Sequence, residues 1–137
     1  MNLVVDASVA VKWVIEEEDR DRARLLLLAG KTLIAPAFLM IEAANVLSIK
    51  VSRNQMNPLQ AARGLETIRM AIVELVPDDH LAAKALQMAV KLNHPVYDCI
   101  YLACATQKGA EFITADKKLL NKLRSTDEWP FAHALSA

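Results

Sequence analysis

Four carboxylates in this chain stand where a carboxylate is costly: Asp6, Glu42, Asp98 and Asp116. Asp6 ends the apolar run Leu3-Val4-Val5, and Asp116 follows the short run Glu111-Phe112-Ile113-Thr114. Glu42 interrupts the otherwise apolar segment Ala37 to Leu47, and Asp98 lies near the start of the apolar segment Val96 to Ala105. An isolated acid in such surroundings asks for a hydrogen-bonding partner or a cation. Each also has a plain local reading. Asp6 and Asp116 could satisfy nearby backbone amides, Asp98 could complement a helix dipole, and Glu42 could lie on a solvated face. Taken together, the four read as a shared cluster of oxygen ligands without His or Cys, which suits Mg²⁺ or Mn²⁺ and argues against zinc. Such a cluster can hold one or two metals, activate water and screen a phosphodiester during in-line attack. Ser8, Thr114 and Asn45, the last about one turn beyond Glu42, could orient ligands or waters around it.

The elements that must position these acids follow from the patterning. Asn2 to Val5 reads as a buried strand that delivers Asp6 at its carboxyl end, with Ser8 placed to cap a helix over Val9 to Ile15. The charged stretch Glu16 to Arg24 and the run Leu25 to Ala29 read as a helix with a solvated front and a buried back, closed by Gly30. Strands are expected at Thr32 to Ala35, Ala71 to Pro77 and Glu111 to Thr114, with a weak one within Phe131 to Leu135. Helices are expected over Ala37 to Ser52, from Asn57-Pro58 to Met70, after a cap at Asp78 or Asp79, over Val96 to Gln107 and from Ala115 to Leu123. This order predicts a three-layer α/β/α fold with a mainly parallel sheet of four to five strands, as one domain over residues 1–137. The parallel sheet puts Asp6 and Asp116 on one edge, where ligands bind in open α/β sheets.

Composition narrows the function. Hydrophobic residues reach 54% with only 5% aromatic, so Ala, Leu, Val and Ile must build the core. Lys plus Arg balances Asp plus Glu at 16 each, so a polyanion must be met by a local patch, a metal or a second subunit. Lys12, Lys50, Arg53, Lys117 and Lys118 flank the acidic motifs and are the candidate polyanion contacts. The longest uncharged run, Thr32 to Ile41, is ten residues, far below the roughly 20 that cross a bilayer, so the chain reads as cytoplasmic. Cys99 and Cys104 read as reduced core residues, and Trp13 and Trp129 as core or subunit packing. His80, His94 and His133 show no HxH or HExxH spacing and receive no metal role. A dinucleotide-binding fold is excluded because none of Gly30, Gly64 and Gly109 follows the first strand.

The set resembles a PIN domain, and the compact size looks most like a VapC-type toxin ribonuclease. The matching pieces are Val4-Val5-Asp6-Ala7-Ser8, Glu42 in the apolar helix after the second strand, Asp98 followed by Ala103 and Ala105, and Ile113-Thr114-Ala115-Asp116 with Leu119 and Leu120. The resemblance implies that Asp6, Glu42, Asp98 and Asp116 bind the metal, with Ser8 and Thr114 supporting. It also implies RNA cleavage, a homodimer and inhibition by a cognate antitoxin. Two rivals stand beside it. A haloacid-dehalogenase-like phosphatase would begin with a similar strand but wants a second Asp where Ser8 stands; a non-catalytic domain would use its acids to bind a partner's arginines.

Overall fold

The computed structural model describes residues 1–126 and 129–136. Its centre is β1 (Asn2–Val5), in which Leu3, Val4 and Val5 are fully buried. A strand buried on both faces is the expected consequence of a continuous apolar run. Around it lie β2 (Thr32–Pro36), β3 (Glu74–Val76), β4 (Glu111–Thr114) and β5 (Ala132–Ala134), in the spatial order β3-β2-β1-β4-β5 with every pairing parallel. Strands that all run the same way need helical crossovers, and the described residues supply seven α-helices. These are α1 (Ala7–Ala10), α2 (Arg20–Leu27), α3 (Phe38–Ser52), α4 (Pro58–Ala71), α5 (Ala82–Leu92), α6 (Val96–Lys108) and α7 (Lys117–Arg124). The result is the three-layer α/β/α sandwich expected from the sequence.

The strand order carries a functional consequence. From β1 the chain builds outward through β2 and β3 on one side, then returns to β1's other side with β4 and β5. The direction of winding therefore reverses between β1 and β4, and a crevice opens beyond their carboxyl ends. Val5 is in register with Ile113, so the next residues, Asp6 and Thr114, emerge side by side at that crevice. Helix α6 lies across β2, β1 and β4, carrying Asp98 toward the same edge. It ends at Gly109, whose φ of +58° is the left-handed cap conformation that favours glycine.

Several local expectations change. Ser8 does not cap the first helix; Asp6 does, accepting the Val9 N–H at 3.3 Å. The first helical stretch is shorter than Val9 to Ile15 and tightens into a 3₁₀ turn at Val11–Trp13. The back of α2 is buried only in part: Ala23 is buried and Leu26 packs against the core, but Leu25, Leu27 and the following Leu28 are exposed. An apolar run needs a surface to pack on, and this helix meets the body mainly through the 3₁₀ turn. Asp78 caps another helix than its own, accepting the N–H of Phe38 at the start of α3 at 2.9 Å. The third strand begins only at Glu74, because α4 runs on to Ala71. Cys99 and Cys104 are buried and unpaired; burial pushes their thiols up to about 11 and about 12, which suits core residues and not nucleophiles.

Candidate metal centre

Asp6 sits where the chain leaves β1 and turns into α1, and its carboxylate is buried with three donors aimed at it. Ser8 Oγ donates to Oδ1 at 2.5 Å, the Val9 N–H donates to the same oxygen, and the Thr114 hydroxyl donates to Oδ2. Burial nevertheless raises its pKa from 3.8 to about 7, with the charge of Glu42 adding to the rise and the three donors opposing it. A carboxylate this well supplied with donors and still this reluctant to ionise is short of positive charge.

The hydroxyls are themselves held. Ser8 Oγ accepts the Ala115 N–H at 3.0 Å, and Thr114 Oγ1 accepts the Asp116 N–H at 3.0 Å. The turn after β4 is thus stitched to the turn after β1. Asp116 caps α7 through Oδ1, which takes the Leu119 N–H at 3.2 Å. Its local capping role is real, and so is its place in a cluster: one donor atom each from Asp116, Asp98 and His94 lie within 4.8 Å of one another.

Glu42 is not on a solvated face. It is half-buried on α3 and accepts a hydrogen bond from the Tyr101 phenol, which comes from α6. Burial raises its pKa, the Tyr101 bond opposes that rise, and the charge of Asp98 adds to it. Glu42 is therefore within electrostatic reach of both Asp6 and Asp98. Asp98 and Asp116 come together with His94, and Glu42 stands electrostatically between Asp98 and Asp6, so the four acids, from four separate segments, lie in series toward the carboxyl end of the β1–β4 pair. Among the described residues no Lys or Arg ion pair neutralises any of them. Oxygen donors in this number, one of them a buried carboxylate held above its ordinary pKa, fit a divalent cation. Asp6, Glu42, Asp98 and Asp116 are the residues that would hold it.

Residues 3–124 match the PIN domain family. The chain belongs to that family. Ribonuclease VapC3 of Pyrobaculum aerophilum is 27% identical over 124 residues, covering 89% of this chain and 95% of the relative. Among solved structures, PAE2754 from Pyrobaculum aerophilum superposes with a TM-score of 0.75 at 22% identity, covering 99% of this chain and 85% of the other. The VapBC2 structure from Rickettsia felis, bound to a DNA fragment from their promoter, reaches 0.66 at 10% identity, covering 98% of each chain.

Within this PIN domain two side chains at the centre escaped the sequence reading. Tyr101, buried at 1% exposure and stacked on Phe112, joins α6 to Glu42 on α3 by donating its phenol hydroxyl to that carboxylate. Its spacing of three from Asp98 along α6 was the available signal. His94 places Nε2 2.6 Å from Asp98 Oδ2. Asn45 is exposed, and no described hydrogen bond ties its side chain to the acids. Of the basic candidates, Lys12 is buried and engaged by the Glu18 carbonyl at 2.9 Å and by Glu17 at 3.6 Å. Arg53, Lys117 and Lys118 are exposed, and Lys117 borders a cavity of about 200 Å³ that reaches Thr114. Lys50 lines a larger groove of about 690 Å³ with Arg20, Arg24 and Arg63, away from the acids.

Proposed function

We propose that this PIN-domain chain is a Mg²⁺- or Mn²⁺-dependent endoribonuclease and the toxin of a toxin–antitoxin pair. The observation that carries the reading is the run of Asp6, Glu42, Asp98 and Asp116 in series toward one sheet edge without a Lys or Arg counter-charge among the described residues. The ribonuclease named among the relatives and the VapBC2 neighbour support the substrate class and the antitoxin partner. When bound, the cation supplies a nucleophilic water and screens the charge of the phosphodiester. The protein's own part is to hold the acids ready. Ser8 and Thr114 fix both oxygens of Asp6, Tyr101 fixes Glu42, and the Leu119 N–H fixes Asp116. Arg53, Lys117, Lys118 and the basic groove containing Lys50 supply local positive charge on a chain whose net charge is zero, where the RNA backbone can lie.

A homodimer completes the proposal. Leu86 and Val90 on α5, Val96 and Tyr97 at the start of α6, and Ile41 on α3 are all exposed. The Tyr97 ring stacks on Phe38 at 5.5 Å, which links the α6 and α3 contributions. A second copy would cover this apolar surface.

The experiment is controlled expression of the chain in a bacterial host. Growth arrest is expected, with the arrest relieved by Asp98→Asn at equal protein level. Arrest that persists with Asp98→Asn would sink the proposal.

A further inference from the structure

We infer that His94 is a positioning residue for the proposed metal centre: its Nε2–H holds one oxygen of Asp98 so that the carboxylate cannot turn, and the imidazole is not itself a ligand. The inference rests on Asp98 being one of the acids that bind the cation.

The ring is set from both sides of the chain. Asn93 ends α5 in the left-handed conformation at φ +49°, and Pro95 leads directly into α6. The His94 backbone N–H is held by the Ala89 carbonyl at 3.1 Å. The imidazole is thereby buried, with Nε2 at 2.6 Å from Asp98 Oδ2.

Two arrangements fit that distance. Nε2 could carry the hydrogen and donate it to Asp98. Alternatively, Nε2 could turn its lone pair to a cation shared with Asp98 and Asp116, whose donor atoms lie within 4.8 Å. The other ring nitrogen decides between them. Nδ1 is buried and has no hydrogen-bond partner among the described residues. A metal-bound Nε2 would put the hydrogen on Nδ1, leaving a buried N–H without an acceptor, whereas metal-bound imidazoles nearly always donate that hydrogen to a carboxylate or carbonyl. With the hydrogen on Nε2, Nδ1 is only an unused acceptor, the milder defect, and Asp98 gains a directed donor. The geometry therefore favours the orienting role.

The test compares Mn²⁺ binding, read by electron paramagnetic resonance of the free ion, in the intact protein and in His94→Leu, His94→Gln and Asp98→Asn. His94→Leu removes the donor at similar size; the longer amide of His94→Gln can restore it. The dissociation constant is expected to rise about 10–100-fold in His94→Leu, with most of the loss recovered in His94→Gln. Spin-echo spectra of the Mn²⁺-loaded wild-type protein are expected to show no directly bound nitrogen. Wild-type affinity in a folded His94→Leu, or a directly bound nitrogen, would overturn the inference. If His94→Leu does not fold, His94→Asn, whose amide stops short of the Nε2 position, carries the same comparison. Asp98→Asn separates the two levels: if it binds Mn²⁺ like wild type, the metal centre itself is wrong. If it loses Mn²⁺ while His94→Leu does not, only the role of His94 is wrong.

Discussion

Thr114 donates its hydroxyl to Asp6, 108 residues away in sequence, across the β1–β4 pair at which the sheet reverses its winding. The same oxygen accepts the Asp116 N–H, so one threonine ties the first and last of the four acids together. Thr114→Val keeps the shape and removes both bonds. It should destabilise the metal-free protein by about 1–3 kcal/mol, since it leaves a buried acceptor and an amide unpaired. Urea denaturation in chelator measures this, and an unchanged midpoint would contradict the role given to Thr114.

Asp6 makes stability depend on pH in a stated direction. Its pKa rises from 3.8 to about 7 in the folded chain, so between these values the folded state keeps a proton that the unfolded chain has released. Stability contributed by this group is therefore full below pH 4 and is lost as pH rises toward 7, a loss of roughly 4 kcal/mol. Glu42, also raised by burial, acts with the same sign. Melting in chelator at pH 5.5 and pH 8 should show the loss, and Asp6→Asn should flatten it. Added Mg²⁺ should restore stability at pH 8, where the carboxylate it needs is ionised. A pH difference of the same size in Asp6→Asn would refute the assignment.

Tyr101→Phe removes the donor to Glu42 while leaving the stack on Phe112. A tenfold weaker Mn²⁺ affinity is expected, about the lower end for loss of a group that orients a ligand. Calorimetric titration checks it, and affinity equal to wild type would remove Tyr101 from the centre.

What was legible in the sequence follows from how each residue meets the backbone. Asp6 and Asp116 were visible because strand ends are local features, and a parallel sheet brings its strand ends to one edge. Glu42 and Asp98 were visible because a carboxylate among apolar neighbours needs a reason. Tyr101 was hidden because its partner lies 59 residues away on another helix, and pattern alone gives no register between helices. His94 was hidden because its partnership with Asp98 spans Pro95, where one helix has ended and the next begins. The apolar run of α2 does not say what covers it: Leu26 packs on the core, while Leu25 and Leu27 stay exposed.

The exposed face of α5 gives a test of assembly. Val90→Glu places a charge in the centre of the proposed contact without touching the acids. Light scattering should give a dimer for wild type and a 15.1 kDa monomer for the variant, with the fold retained. A wild-type protein that is monomeric at tens of micromolar, an ordinary working range for weak dimers, would remove the homodimer from the account.

Cleavage of a labelled RNA by purified protein tests whether Asp6, Glu42, Asp98 and Asp116 together hold a cation for RNA hydrolysis. Cleavage is expected with added Mg²⁺ or Mn²⁺, none in chelator, and a fall of roughly two orders of magnitude or more in folded Asp98→Asn, as for loss of several kcal/mol of transition-state stabilisation. Cleavage that continues in chelator, or at an unchanged rate in Asp98→Asn, would contradict that role.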